Sequence, residues 1–154
     1  MSVLTPCPAE RVERVVVAEM IAEGMQRDAV NPVDWRSADG LPYGYRLDRP
    51  DSETEPTELA LVERVAGKPM RCDVGLHVFV RDLAGRPVLV RLAQRVAEQT
   101  EGWVFVEFQA PSADLLRYLE SAGRCIAVDD RDYVYLDAAA MAAWCVHPDF
   151  HVIK

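Results

Sequence analysis

Residues 74–108 restrict the fold more than any other part of the chain. Val74, Leu76, Val78 and Val80 alternate with Gly75, His77, Phe79 and Arg81, the two-residue period of a strand with one strongly apolar face. A turn signal follows over residues 82–87, DLAGRP. Leu89, Leu92, Ala93, Val96 and Ala97 then recur at helical spacing, with Arg91, Gln94, Arg95, Glu98 and Gln99 on the outward side. Gly102 closes that stretch before WVFVEF, residues 103–108, which has the composition and length of a second strand. A strand, helix, strand unit of this kind predicts a crossover that puts two parallel strands in one sheet and a helix over one sheet face.

The flanking segments extend the unit in both directions. Residues 9–25, AERVERVVVAEMIAEGM, place Val12, Val16 and Met20 four apart with Val17 and Ile21 beside them. That period favours a helix, although the VVV run also suits a strand. LALVERVA, residues 59–66, fits a short strand or a helix ahead of the Gly67-Lys68-Pro69 break. Ser112 is a suitable N-cap for a helix that turns Leu115, Leu116 and Leu119 inward and ends at Gly123. Residues 124–128 and 133–136, RCIAV and YVYL, bracket Asp129, Asp130, Arg131 and Asp132 as a hairpin. Asp137 caps a last helix, AAAMAAWC, whose Met141, Trp144 and Cys145 form an inward stripe before Pro148. These elements predict a single α+β domain over residues 1–154, with a mixed, largely antiparallel sheet of four to five strands and helices mainly on one face. No internal repeat is present.

Residues 31–58 read differently. Four prolines, two glycines and a closing acidic run oppose long regular elements, so a loop-rich insertion is expected there, with Trp35, Tyr43, Tyr45 and Leu47 able to pack a loop or short strand onto the core. Loops also carry binding surfaces more often than the elements they join.

Charge and cysteine usage narrow the function classes. Against 17 Lys and Arg stand 25 Asp and Glu, a formal net charge of −8 that repels nucleic acid and anionic lipid and favours a basic partner. The start MSVLTPCPAERVERVVV lacks the basic, apolar and small-residue succession of a secretory signal, and no run reaches the apolar length of a membrane helix. A cytoplasmic location is the expectation. Cys7, Cys72, Cys125 and Cys145 lie 65, 53 and 20 positions apart, without a CxxC pair or zinc-ribbon spacing, and read as structural free thiols.

Two sets of residues compete as a site. His147, Asp149 and His151 alternate in HPDFHVIK, which on an extended segment would put three metal-competent side chains on one side. Pro148 argues for a structural tail instead, because it ends the preceding helix and leaves His147 at the negative end of the helix dipole, with Phe150, Val152 and Ile153 free to pack. His77, opposite the apolar face of its strand, reads as a partly buried structural histidine. Neither it nor any cysteine sits in a nucleophile motif, and phosphate-loop, GxGxxG, HExxH and EF-hand spacings are missing. No cofactor is implied.

The second set is acidic and aromatic. Asp129, Asp130 and Asp132 at the hairpin tip, with Asp51, Glu53, Glu55 and Glu58 in the middle segment, would steer a basic partner. Trp35, Tyr43 and Tyr45 would supply desolvated contact.

The run from Gly75 to Lys154, above all LVRLAQRVAEQTEGWVFVEF and YLDAAAMAAWCVHPDFHVIK, resembles small bacterial cytosolic immunity proteins of toxin and immunity pairs. That resemblance implies a compact α+β domain that binds one cognate toxin and blocks it. It supplies no catalytic residue to carry over, and makes the terminal HPDFHVIK a signature of structural type. The leading expectation is therefore a non-catalytic protein that neutralises a basic cognate toxin, with no nucleic acid or membrane partner and an open oligomeric state. A small metal-dependent hydrolase built on His147, Asp149 and His151, with His77 contributing, is the second reading. A structural subunit of a larger assembly is the third.

Overall fold

The computed structural model describes residues 1–52, 54–79, 85–108, 111–128 and 133–150. Its strands are β1 (Ser2–Thr5), β2 (Gln26–Arg27), β3 (Asp34–Arg36), β4 (Pro42–Asp48), β5 (Cys72–Val78), β6 (Trp103–Glu107), β7 (Cys125–Val128) and β8 (Tyr133–Asp137). Five α-helices accompany them: α1 (Ala9–Ala22), α2 (Pro56–Ala66), α3 (Arg86–Thr100), α4 (Ala113–Ala122) and α5 (Ala138–Cys145). A 3₁₀ turn at Pro50–Ser52 precedes α2. Among the described residues no helix is long and apolar enough to cross a membrane.

The α+β class holds, but the sheet has eight strands in the order β2-β3-β4-β5-β1-β6-β8-β7, where four to five were expected. Part of the excess comes from residues 31–58, which hold β3 and β4 where a loop-rich insertion was expected. The prolines there bound elements instead of interrupting them. Pro42 is the first residue of β4, and Pro56 opens α2, where a missing N–H costs no helical hydrogen bond. Gly44 survives inside β4 because a neighbouring side chain replaces the one it lacks: a Cβ there would lie 2.5 Å from His77 Nε2.

Two further strands were unexpected: β2, a two-residue edge paired with β3, and β1, four residues that pair antiparallel with β5 on one side and with β6 on the other. The crossover through α3 does make β5 and β6 point the same way. Because β1 lies between them, every neighbouring pair in the sheet is antiparallel, and the mixed sheet expected from the crossover is not formed. Alternation then divides β1 between two cores. Val3 faces the larger one, which contains Val74, Leu76, Val104, Val134 and Leu136 of the sheet under α1, α3, α4 and α5. Leu4 faces the smaller one with Trp103, Tyr135 and Ile126, covered by α2 through Val62.

The helices form where capping and packing agree. Ser112 and Asp137 accept from Leu115 N and Ala140 N at 3.1 and 3.0 Å, the caps read from the sequence. α1 and α3 are joined by a charged seam in which Arg95 pairs with both Glu19 and Glu23, Arg91 pairs with Glu23 at 3.0 Å, and Gln99 donates to Glu19. Hydrogen bonding from Arg91 first, then from Arg95, holds the Glu23 carboxyl below its ordinary range. That seam favours helix over residues 9–22, since in a strand Glu19 and Glu23 would share a face but stand about 13 Å apart, whereas one helical turn sets them side by side opposite the two arginines of α3.

Leu4 is fully buried at the centre of the sheet. Leu4→Ala should therefore cost about 2–5 kcal/mol with an unchanged denaturant m-value, measured by urea unfolding. A loss below about 1 kcal/mol would show that the sheet does not depend on β1 in this way.

Candidate functional site

The C-terminal histidine lies where α5 ends. His147 N donates to Trp144 O at 3.1 Å, and Phe150 N donates to His147 O at 2.9 Å, so the chain turns back on itself through Pro148. Asp149 N donates to His147 Nδ1 at 3.1 Å, which occupies the lone pair that a metal would need on that nitrogen. The imidazole stacks near Trp144 at 5.8 Å and meets Tyr118 at 5.0 Å, while Phe150 packs edge-on against Trp144 at 5.5 Å. Trp144 is buried and half-buried Phe150 joins the main core, so the turn is docked by rings. Asp149 is exposed, and His151 lies outside the described residues. Among the described residues no three His, Cys, Asp or Glu side chains are grouped to hold a metal ion.

His77 lies on the sheet face opposite the four-helix side, across Gly44 and 4.5 Å from the Phe79 ring. Burial, and then the nearby N-terminal ammonium, lower its imidazole pKa. Arg46 lies across Gly75 in the same way and pairs with Asp48 at 2.9 Å. On this half of the sheet, over β3 to β5, no residue joins the smaller apolar core, and Phe79 is 58% exposed. A shallow pocket there, lined by Asp28, Asp34, Trp35, Arg36, Pro42 and Phe79, holds only about 80 Å³. Cavities for drug-sized molecules start near 300 Å³.

Three of the four thiols are equally unsuited to attack. Burial pushes Cys72 up to about 11 and Cys125 up to about 12, and raises Cys145 as well, so these three remain protonated near neutral pH.

The aromatic contact residues expected from the sequence are buried: Trp35 is 3% exposed, Tyr43 0% and Tyr45 2%. Trp35 and Tyr43 face each other across β3 and β4, and all three belong to the main core. Tyr43 Oη donates to Gly85 O at 3.2 Å, and Tyr45 Oη donates to Glu13 Oε1 at 3.0 Å. Arg27 lies over the Trp35 ring at 5.4 Å. Their rings have no free surface to offer a partner. The period-two placement of Tyr43, Tyr45 and Leu47 was the signal for this inward face, and the prolines around it obscured that signal.

The acidic residues fall into two groups. Asp51 and Glu55 are exposed on the segment that enters α2, and Glu58 is half-buried. Glu53, Asp129, Asp130 and Asp132 lie outside the described residues. The structure does bring the flanks of the two acidic segments together. α2 packs on β7, and the side chains of Glu58 and Thr54 reach the hydroxyl of Tyr135 in β8. Burial first, and then Glu58, raise the pKa of that phenol. No sequence pattern pairs residue 58 with residue 135.

Among the described residues, fold and site together define an α+β protein with an eight-stranded antiparallel sheet, four α-helices on one face and one on the other. Compared with protein-family models, curated proteins and solved structures, the chain finds no significant match.

Two outcomes follow from the histidines. Because the folded-state pKa of His77 is depressed, the unfolded chain binds the extra proton first, and stability should fall as pH drops below about 6.5. His77→Gln should flatten that decline in urea midpoints measured between pH 5 and 7.5, and an undiminished slope would assign it to other groups. Phe150→Ala should cost about 1–2 kcal/mol, the loss of a half-buried ring, without altering the zinc content of the purified protein by elemental analysis. A drop in bound zinc would revive a metal role for this segment.

Proposed function

We propose that the protein acts by binding and not by catalysis: it holds a single cognate protein with a basic surface and neutralises it by direct contact, in the manner of an immunity protein against its toxin. The observation that carries this reading is the convergence of the acidic segments. α2 packs on β7, and Glu58 and Thr54 reach Tyr135 of β8, so the flanks of the two acidic segments meet although they are far apart in the sequence. In a chain with a net charge of −8, exposed Asp51 and Glu55 on the segment leading into α2 add to the acidic surface. Such a field raises the rate at which a basic protein arrives, and complementary shape then holds it. The assignment of the acidic tip and of Glu53 to this region comes from the sequence.

The reading is also supported by what the potentially reactive side chains do. His147 is engaged by the turn it closes, His77 by two glycine-bearing strands, and the shifted thiols are protonated. A binding protein asks no chemistry of them.

The test is capture of the partner by the tagged full-length protein from its native cells, with salt-stepped elution, followed by association kinetics on the complex. D129N/D130N/D132N should slow association about 10-fold at low salt and flatten its salt dependence. The thermal midpoint should stay within about 2 °C. An unchanged association rate would remove the hairpin tip from the contact, and failure to recover a near-stoichiometric protein would overturn the binding role.

A further inference from the structure

The two sheet faces are closed in different ways. On the larger side α1 packs on α3, α3 on α5 and α4 on α5, so each helix is held by another helix as well as by the sheet. On the smaller side α2 is the single α-helix among the described residues, and it rests on the sheet beside only the short 3₁₀ turn at Pro50–Ser52. Only Val62 of α2 is fully buried. Leu59, Leu61 and Ala66 are half-covered, and Val65 is 40% exposed. Removing α2 would therefore break one apolar contact layer and no helix–helix interface.

Its two ends are also unequal. At the C-terminal end Gly67, at φ +71°, closes the helix by donating to Glu63 O at 2.9 Å, and Met70 N donates to the Glu63 carboxylate at 2.9 Å. Lys68 pairs there with Glu101 at the end of α3. At the other end Glu55 makes no side-chain capping bond, and Pro56 brings no N–H. The C-terminal end is pinned, and the N-terminal end meets the 3₁₀ turn at Pro50–Ser52 and, through Glu58 and Thr54, the hydroxyl of Tyr135.

We propose that α2 is a strap that lifts from the sheet as a unit, turning about the Gly67–Met70 segment, while the sheet and the four helices behind it stay folded. Lifting uncovers Leu4, Trp103, Tyr135 and Ile126, all buried when the strap is down. Trp and Tyr are the side chains that protein interfaces use most heavily, so the strap governs access to a ring-rich face. Opening of one cooperative segment below the global unfolding free energy is the general behaviour of elements with few apolar contacts. This inference is independent of the binding role proposed above and stands or falls by a different measurement.

Native-state amide exchange on the full chain, at graded sub-denaturing guanidinium, tests it. Amides of residues 60–66 should exchange at least about 100-fold faster than those of β6 and α3, with a much shallower denaturant dependence. Equal exchange rates and equal denaturant slopes would overturn the proposal, because α2 would then open only with the whole domain. Exchange of α2 in concert with β7 and β8 would overturn it too, since the sheet would be opening. Val62→Cys, close to Val in volume, gives a second readout. A thiol reagent should label it at least about 10-fold faster than native Cys72, which is buried on the larger side, and equal labelling rates would count against the strap. If that variant does not fold, exchange on the unmodified chain decides.

Discussion

The fold depends on a four-residue strand that is hydrogen-bonded along both edges. β1 joins β5 to β6 and so ties the β2–β5 half of the sheet to the β6–β8 half. Its side chains alternate between two apolar layers, Val3 toward the four helices and Leu4 toward α2. A one-residue slip would exchange those layers and place Val3 and Leu4 on the wrong faces, so the register is set by burial on both sides. Thr5 extends the constraint: its hydroxyl donates to Thr100 O at 2.8 Å, fixing the end of α3 against the end of β1.

The unequal covering of the two faces follows from the same strand order. The β6–β8 half presents Trp103, Phe105, Tyr135 and Ile126 on the α2 side, enough apolar surface to retain a helix. The β3–β5 half presents Gly44, Arg46, Gly75 and His77 there, and these cover one another across the strands. A glycine in a strand interior loses packing and chain entropy, and a long side chain lying over it from the next strand recovers part of that loss. Among the described residues this half-face is covered at Gly44 and Gly75 by side chains of the next strand and not by a helix.

Charge is used in two ways. Between α1 and α3 it is paired and partly buried, where Arg95 and Arg91 neutralise Glu19 and Glu23 and bind together two helices more than 60 residues apart. On the segment before α2 the described acids Asp51 and Glu55 are exposed to solvent. The first use belongs to stability; the second leaves its charge in the solvent.

What the sequence determined by itself was local. The α3 stripe of Leu89, Leu92, Ala93, Val96 and Ala97, the caps Ser112 and Asp137, and the β7–β8 pairing around residues 129–132 are all set by period and by chemistry within a few residues. Tertiary structure decided whatever depended on partners distant in the chain. SVLT is too short to show a period and becomes a strand only between β5 and β6. The VVV segment is helical because its glutamates meet arginines of α3. Gly44 can sit in a strand because His77 covers it. Trp35, Tyr43 and Tyr45 turn inward because β4 pairs with β5, and the flanks of the acidic segments meet because α2 crosses to β7 and β8. In each case the stabilising contact is long-range, and a reading limited to neighbouring residues has no access to it.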